Sequence, residues 1–237
     1  MSHLVYIDAC KSTNEEILGY LGANPSDYFA LFTCNQTQGR GQYGNTWDIE
    51  AGLNLAFTMA IKQQVHLLPE LFNFRTAVLL AEFLAKMAAV AVDIKWPNDI
   101  IIRDKKVSGI LTEKKNINSE RYLIVGIGLN ILQTDFSKLP KAGSLLTQTG
   151  ISFKPKQVAA ELFDFLKEGF ARHISADETT KAVNDHLYRK ERISVFELNG
   201  VRQNGIIKQM DGEGYLWVDL ENDGLQRFFH KQIQLLY

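Results

Sequence analysis

Three stretches of this chain have residue types and spacings that could meet a ligand. The first is Gln36-Thr37-Gln38-Gly39-Arg40-Gly41-Gln42-Tyr43-Gly44-Asn45-Thr46-Trp47. Its glycines let backbone N–H groups approach a ligand closely, and Arg40 adds a rigid fork of donors among uncharged hydrogen-bonding side chains. The second is Lys95-Trp96-Pro97-Asn98-Asp99, with a lysine near the end of an apolar run. A lysine so placed needs a partner or a ligand, because an uncompensated buried charge is costly. The third is Lys106-Val107-Ser108-Gly109-Ile110-Leu111, in which Gly109 interrupts a strand, often a mark of close approach by a ligand. Each stretch has a plainer reading. The loop is equally a flexible surface hairpin, Pro97-Asn98-Asp99 is good turn chemistry, and Lys106 by itself reads as a solvated turn residue.

Periodicity supplies the elements that must position these groups. Residues 4–7, 28–34, 53–61, 92–96, 100–102, 107–113 and 122–131 are short apolar runs bounded by turn residues and read as strands. A loop of about a dozen residues between the second and third runs is longer than a hairpin needs, which marks a functional or mobile segment. Ser12 with Glu15 and Thr13 with Glu16 form two overlapping capping boxes, so a helix starts near Thr13 or Asn14. Apolar residues at helical spacing predict a long scaffold helix over 69–90, with Pro69 in its first turn and Phe72, Phe74 and Phe83 as core. Residues 103–106 read as a hairpin turn and 133–150 as a polar connector. Further helices are expected over 156–174 and 177–187, the second capped by Asp177. After a charged hinge at 188–192, strands over 195–198, 201–207, 215–220 and 225–229 alternate with Asn-Gly and Asp-Gly turns. The expected fold is α+β: a mixed, largely antiparallel sheet packed with helices over 1–188, then a small C-terminal SH3-like β-barrel over 189–237.

Bulk properties narrow the function. The chain's 237 residues, 46% hydrophobic and 22% charged, suit one sizeable domain with a small module, and they exclude disorder. A formal charge of −1 gives no electrostatic argument for nucleic acid or membrane. Cys10 and Cys34 read as free thiols of a reducing compartment; no leader or membrane span is legible, so a cytoplasmic location is expected. Gly126-Ile127-Gly128 lacks a third glycine and a following helix, so it fails the dinucleotide fingerprint, and no Gly-x-x-x-x-Gly-Lys phosphate loop exists. Five scattered histidines and the lack of a Gly-x-Ser-x-Gly give no support to a zinc enzyme or a serine hydrolase.

In order along the chain, Ser12-Thr13-Asn14, the Gly39-Arg40-Gly41 loop, Lys95-Trp96-Pro97-Asn98-Asp99, Lys106 to Leu111 and Gly126-Ile127-Gly128-Leu129-Asn130 resemble the catalytic domain of biotin protein ligases. The resemblance covers about four-fifths of the chain, and the C-terminal strands match the small β-module of that family. It implies activation of biotin by ATP to biotinyl-5′-AMP, then transfer to a lysine of a biotin carboxyl carrier protein. It implies further that Lys106, Arg40, Asp99 and Lys95 carry the chemistry. Ser12, Thr13, Asn14, Gln36, Gly39, Arg40, Lys106 and Gly109 would hold biotin. Arg40, Gln42, Trp47, Lys95, Asn98 and Asn130 would hold ATP. Asp99 would bind Mg2+ or orient the incoming lysine, two roles that stay open. The large domain begins at residue 1, so the resemblance is to short members without a helix-turn-helix module; no DNA and no membrane partner is expected, and a homodimer through a sheet edge is a fair expectation. Where the family loop commonly reads Gly-Arg-Gly-Arg-x-Gly-Arg, this chain has Gln42 and Asn45. The alternatives are a lipoate-type ligase of the same superfamily, whose Arg-Arg-x-Ser-Gly-Gly-Gly pattern this chain lacks, and a non-catalytic biotin- or nucleotide-binding protein.

Overall fold

The computed structural model describes residues 3–22, 26–62 and 71–237. Seven strands form one sheet: β1 (His3–Tyr6), β2 (Tyr28–Thr33), β3 (Asn54–Lys62), β4 (Asp93–Lys95), β5 (Asp99–Ile102), β6 (Lys105–Ile117) and β7 (Glu120–Asn130). Their order is β1-β2-β3-β7-β6-β5-β4, with β1 and β2 parallel and every other pair antiparallel. The middle strands are buried on both faces. Phe29, Leu31, Ala60, Tyr122 and Ile124 face a smaller cluster closed by Ile17 and Leu21. Their neighbours Ala30, Phe57, Met59, Leu123 and Val125 face the main core. This period of two, running through near-continuous apolar sequence, is what a strand covered on both sides requires.

Six helices are described: α1 (Thr13–Glu16), α2 (Leu18–Leu21), α3 (Phe72–Ala88), α4 (Leu145–Thr149), α5 (Pro155–Ala171) and α6 (Ala176–Asp185). The long helix α3 buries Phe72, Phe74 and Phe83 as core and ends at Ala89 in the left-handed conformation, φ 51°. The expected start at Pro69 lies outside the described residues. Neither capping box at the first helix forms, since no side chain caps the N-terminus of α1. The Gln36 amide oxygen instead accepts both the Thr13 N–H, at 2.8 Å, and the Thr13 hydroxyl, at 3.1 Å. A group from the segment just after β2 takes the role that Glu16 would have had. At α6 the cap is Ser175 rather than Asp177: the Ser175 hydroxyl accepts the Glu178 N–H and the Glu178 carboxylate accepts the Ser175 N–H, which leaves Asp177 in the first turn.

The C-terminal residues form a separate antiparallel sheet of β8 (Ile193–Leu198), β9 (Val201–Met210), β10 (Leu216–Leu220), β11 (Gly224–Phe228) and β12 (Gln234–Leu236), in the order β11-β10-β9-β8-β12. Strand β12 was not legible because only three residues after a polar run form it, and its partner β8 lies some forty positions earlier. Phe196, Ile207, Leu216 and Ile233 of this sheet join the same apolar cluster as α3 and the large sheet. Polar contacts fix the join. The Trp96 indole N–H donates to the Gly214 carbonyl at 3.0 Å, and the Leu187–Tyr188 backbone pairs with Ile94 at the edge of β4. The Asn184 side chain both donates to the Met210 carbonyl, at 2.8 Å, and accepts its N–H, at 2.9 Å. Among the described residues no helix is long and apolar enough to cross a membrane.

Asn184→Ala leaves the Met210 N–H and C=O without partners at the join. We expect it to lower unfolding free energy by about 1–3 kcal/mol. Urea unfolding measures this, and an unchanged midpoint would show that Asn184 does not clamp α6 to the C-terminal sheet.

Candidate functional site

The chemistry-bearing residues converge on a cavity of about 580 Å³ between the large sheet, the loop before β3 and the C-terminal sheet. Of the residues singled out from the sequence, all line it except Gly39 and Asn130. Asn130 is buried, and its amide donates to the Gly143 carbonyl at 3.0 Å. Gly39 sits behind the lining, packed so closely on the Trp47 carbonyl and the Gln36 side chain that a Cβ has no room.

The loop is a small hairpin folded back over the sheet. Gly41 N–H donates to the Asn45 carbonyl at 2.7 Å and Trp47 N–H to the Gly39 carbonyl at 3.0 Å, with a single 3-10 turn over Gln42–Gly44 at its tip. Tyr43 takes φ 56°, a left-handed conformation uncommon for a residue with a side chain. The loop's base is tied down by Thr37 N–H to the Cys10 carbonyl and Gln38 N–H to the Lys11 carbonyl, at 3.0 and 2.8 Å. This arrangement lays the Trp47 indole on a floor of glycines. A Cβ on Gly128 would overlap the indole, one on Gly109 would stand 3.1 Å from it, and one on Gly126 would overlap the Asn14 amide. The paired glycines of β7 therefore make room for side chains from other elements, a need that exists only in the folded state. The Trp47 ring N–H is buried and has no hydrogen-bond partner.

One end of the cavity is uncharged and polar. Beside the Thr13–Gln36 pair, the Thr58 hydroxyl lies 2.8 Å from Thr13 Oγ1 and 2.7 Å from Asn14 Oδ1, and the Asn14 amide donates to Glu113 at 2.9 Å. Burial works against the Glu113 carboxylate, but hydrogen bonds from Asn14 and Lys115 outweigh it and hold its pKa below the usual range. Sequence reasoning missed Thr58 and Glu113. Both are ordinary strand residues, and no local signal distinguishes them.

The other end is cationic. Asp99 at the start of β5 meets Lys106 of β6 at 2.7 Å and Lys95 of β4 at 3.6 Å. Burial depresses the Lys95 pKa most; Asp99 pulls it back up, and Lys106 pushes it down again. The Lys106 ammonium lies 5.5 Å from the centre of the Trp47 ring. Asn98 is held by its amide donating to the Ile110 carbonyl at 2.8 Å. Arg40 pairs with Glu15 at 2.8 Å on the surface, a contact worth little and easily exchanged. The Gln42 amide reaches Asn73 and the Ile110 carbonyl, both at 3.4 Å. His230 and Lys231, in the turn between β11 and β12, and Leu235 of β12 complete the wall, and none of them was singled out from the sequence. Among the described residues no group of three His, Cys, Asp or Glu is placed to hold a metal ion. Among the described residues, Asp99 is the one carboxylate on the lining. An elongated ligand with a neutral hydrogen-bonding end and an anionic end fits this gradient.

The model of the biotin/lipoate A/B protein ligase family matches residues 6–130. The chain is 26% identical over 223 residues to the biotin–[acetyl-CoA-carboxylase] ligase of Mycobacterium tuberculosis, which spans 88% of this chain and 80% of that one. It is 32% identical over 134 residues to the bifunctional ligase/repressor BirA of Bacillus subtilis, covering 55% of this chain and about two-fifths (41%) of that relative. The fold resembles the structure of the biotin protein ligase of Aquifex aeolicus in complex with biotin and ATP, with a TM-score of 0.77 at 23% identity over 99% of this chain and 98% of that one.

Gly128→Ala puts a methyl group where the Trp47 indole lies. We expect overpacking of about 1–3 kcal/mol and expulsion of the indole. With three tryptophans in the chain, the emission spectrum should move to longer wavelength. Emission and melting temperature equal to those of the wild type would show that Trp47 does not rest on Gly128.

Proposed function

The chain belongs to the biotin/lipoate A/B protein ligase family, and we propose that it is a biotin protein ligase that activates biotin with ATP and transfers it to a lysine of a biotin carboxyl carrier protein. The observation that carries this reading is the meeting of Lys95 and Lys106 on Asp99 at one end of a cavity whose other end presents Thr13, Asn14 and Gln36. The ureido group of biotin needs matched donors and acceptors, which Thr13 and Gln36 offer, with Ser12 and Asn14 beside them. Its carboxylate needs a cation, which Lys106 offers. Gly109 leaves space for the valeryl chain where a side chain would intrude.

In the first step a biotin carboxylate oxygen attacks the α-phosphorus of ATP. The bond to the bridging oxygen breaks, and pyrophosphate leaves with the electron pair. Two anions must approach, so the barrier falls only if positive charge is fixed in place beforehand. Lys106, Lys95 and Arg40 supply it, and Arg40 exchanges Glu15 for phosphate. Trp47 and Asn98 suit the nucleotide base and sugar, and Gln42 its phosphates. Asn130 acts from behind the lining by fixing the Gly143 carbonyl, and Gly39 by letting the loop fold on Gln36. In the second step the neutral amine of the carrier lysine attacks the acyl carbon, AMP leaves, and the amine's extra proton is released. Asp99, an established partner of ammonium groups here, suits the orientation of that lysine. Magnesium enters as part of the ATP substrate. One carboxylate already engaged by two lysines is a poor resident metal site but can add a ligand to an ion that keeps its phosphates and waters.

We read the C-terminal sheet as an SH3-like module that closes the cavity. Both cysteines are free thiols, which with ATP dependence suits the cytoplasm. Homodimerisation through a strand edge would use β1, since the Leu187 bridge occupies the outer side of β4.

Mixing the protein with biotin, MgATP and a biotin carboxyl carrier domain tests the reading. Pyrophosphate release and carrier labelling are expected, and Lys106→Ala should slow labelling by roughly 10²–10³-fold. Labelling by Lys106→Ala at the native rate would remove Lys106 from the site. The loop gives a separate expectation. Gln42 and Asn45 hydrogen-bond phosphate without charge, so Gln42→Arg with Asn45→Arg should retain biotinyl-5′-AMP about tenfold longer or more, each added charge-assisted bond contributing about 1.5–3 kcal/mol. Equal dissociation half-lives for variant and wild type would contradict this.

A further inference from the structure

Among the described residues, the cationic side chains on the cavity lining are Arg40, Lys95, Lys106 and Lys231, against the carboxylate of Asp99. Three of the four have acidic partners: Glu15 for Arg40, and Asp99 for both Lys95 and Lys106. Lys231 has none among the described residues. Its ammonium instead touches the loop hairpin, 3.4 Å from the Tyr43 carbonyl and 4.6 Å from the centre of the Tyr43 ring. Lys231 also adopts φ 68°, so a residue with a long side chain occupies a conformation that favours glycine. Beside it, the buried Nδ1 of His230 has no hydrogen-bond partner, and the His230 ring stands edge-on to Trp96 at 5.8 Å and to Tyr43 at 4.6 Å between centres. Burial, Lys231 and Lys95 together depress the His230 pKa. The tip of the loop is thus clasped by two residues of the turn between β11 and β12, one of them an uncompensated cation facing the same space as Lys95 and Lys106.

We propose that Lys231 is a further polyphosphate-binding residue of this site, supplied by the turn between β11 and β12, and that its grip on Tyr43 couples the C-terminal sheet to the loop hairpin. This rests on the ligase reading and extends it. The loop itself offers one cation, Arg40, because Gln42 and Asn45 are uncharged. A triphosphate carries more negative charge than Lys95 and Lys106 can neutralise while sharing Asp99, and the unpaired ammonium of Lys231 is the remaining cation on the lining. Lysine here acts as a point charge on a flexible stem, able to leave the Tyr43 carbonyl for a phosphate oxygen without any loss of an ion pair. The partnerless His230 nitrogen, next in sequence, offers a hydrogen bond to the same ligand.

The test compares wild type, Lys231→Met, which keeps the apolar stem against Tyr43, and Lys231→Arg, which keeps the charge. Inorganic pyrophosphate is titrated by calorimetry, and KM is measured separately for ATP and for biotin. Expected for Lys231→Met are about tenfold weaker pyrophosphate binding and about tenfold higher KM for ATP, the size of one charge-assisted contact, with KM for biotin unchanged. The deficit should shrink as salt is raised, because a partly exposed cation is screened. Lys231→Arg should restore both values, and adding Gln42→Arg to Lys231→Met should restore them from the loop side. Pyrophosphate binding and KM for ATP like those of wild type in Lys231→Met would overturn the proposal, as would equal losses in Lys231→Met and Lys231→Arg. Failure of the wild type to release pyrophosphate from ATP and biotin would instead overturn the ligase reading, and the calorimetric arm would still decide the role of Lys231.

Discussion

One carboxylate holding two ammonium groups is the contact on which the site depends. Asp99, 14% exposed, lies within reach of Lys106 on the neighbouring strand and Lys95 on the next. Both lysines are partly withdrawn from water, and pairing with Asp99 offsets part of that lost hydration. Asp99 holds both ammonium groups in place and aimed at the cavity. It also sets the cluster's limit, since the charge available to a ligand is what Asp99 does not already satisfy. Such a cluster therefore needs geometry that holds it rigidly, and the surrounding hydrogen bonds supply this: Asn98 to the Ile110 carbonyl, Ile110 N–H to the Asn98 carbonyl and Asn73 to the Pro97 carbonyl.

The rest of the fold can be read as support for that arrangement. Strands β4, β5 and β6 are consecutive in the sheet, so Lys95, Asp99 and Lys106 meet through register and without any loop having to order. The Trp96 indole anchors the C-terminal sheet at Gly214, which links the strand carrying Lys95 directly to the residues that close the cavity. Glycines on β6 and β7 keep the floor low enough for Trp47 and Asn14 to lie across it. The loop hairpin is the least constrained part. Beyond its base it is held by contacts between side chains and to carbonyls, namely Arg40 to Glu15, Gln42 to Asn73 and the Ile110 carbonyl, and Tyr43 against His230 and Lys231, and surface contacts of this kind can be exchanged at low free-energy cost.

Much of this was legible in the sequence wherever the signal was local. Apolar runs gave the strands to within a few residues, helical spacing gave α3 and α5, and the order of the glycine and lysine motifs brought out twelve residues that now line one cavity. What stayed hidden depended on contacts distant in sequence. The Ser12 and Thr13 capping boxes look complete on paper, yet Gln36 takes Thr13 from the segment just after β2. Ser175-x-x-Glu178 was a visible box passed over in favour of Asp177. Lys231 and His230 carry no motif, because their value comes only from the packing of a second sheet against a loop nearly two hundred residues earlier. Asn130 shows the converse: a motif residue whose side chain is spent on the Gly143 carbonyl, behind the lining.

A crystal structure with biotin and ATP bound tests the account most directly. It predicts the biotin carboxylate hydrogen-bonded to Lys106, the triphosphate across Lys95, and the nucleotide base against the Trp47 indole. Biotin bound with its carboxylate away from Lys106, and Lys106 still engaged only by Asp99, would contradict it.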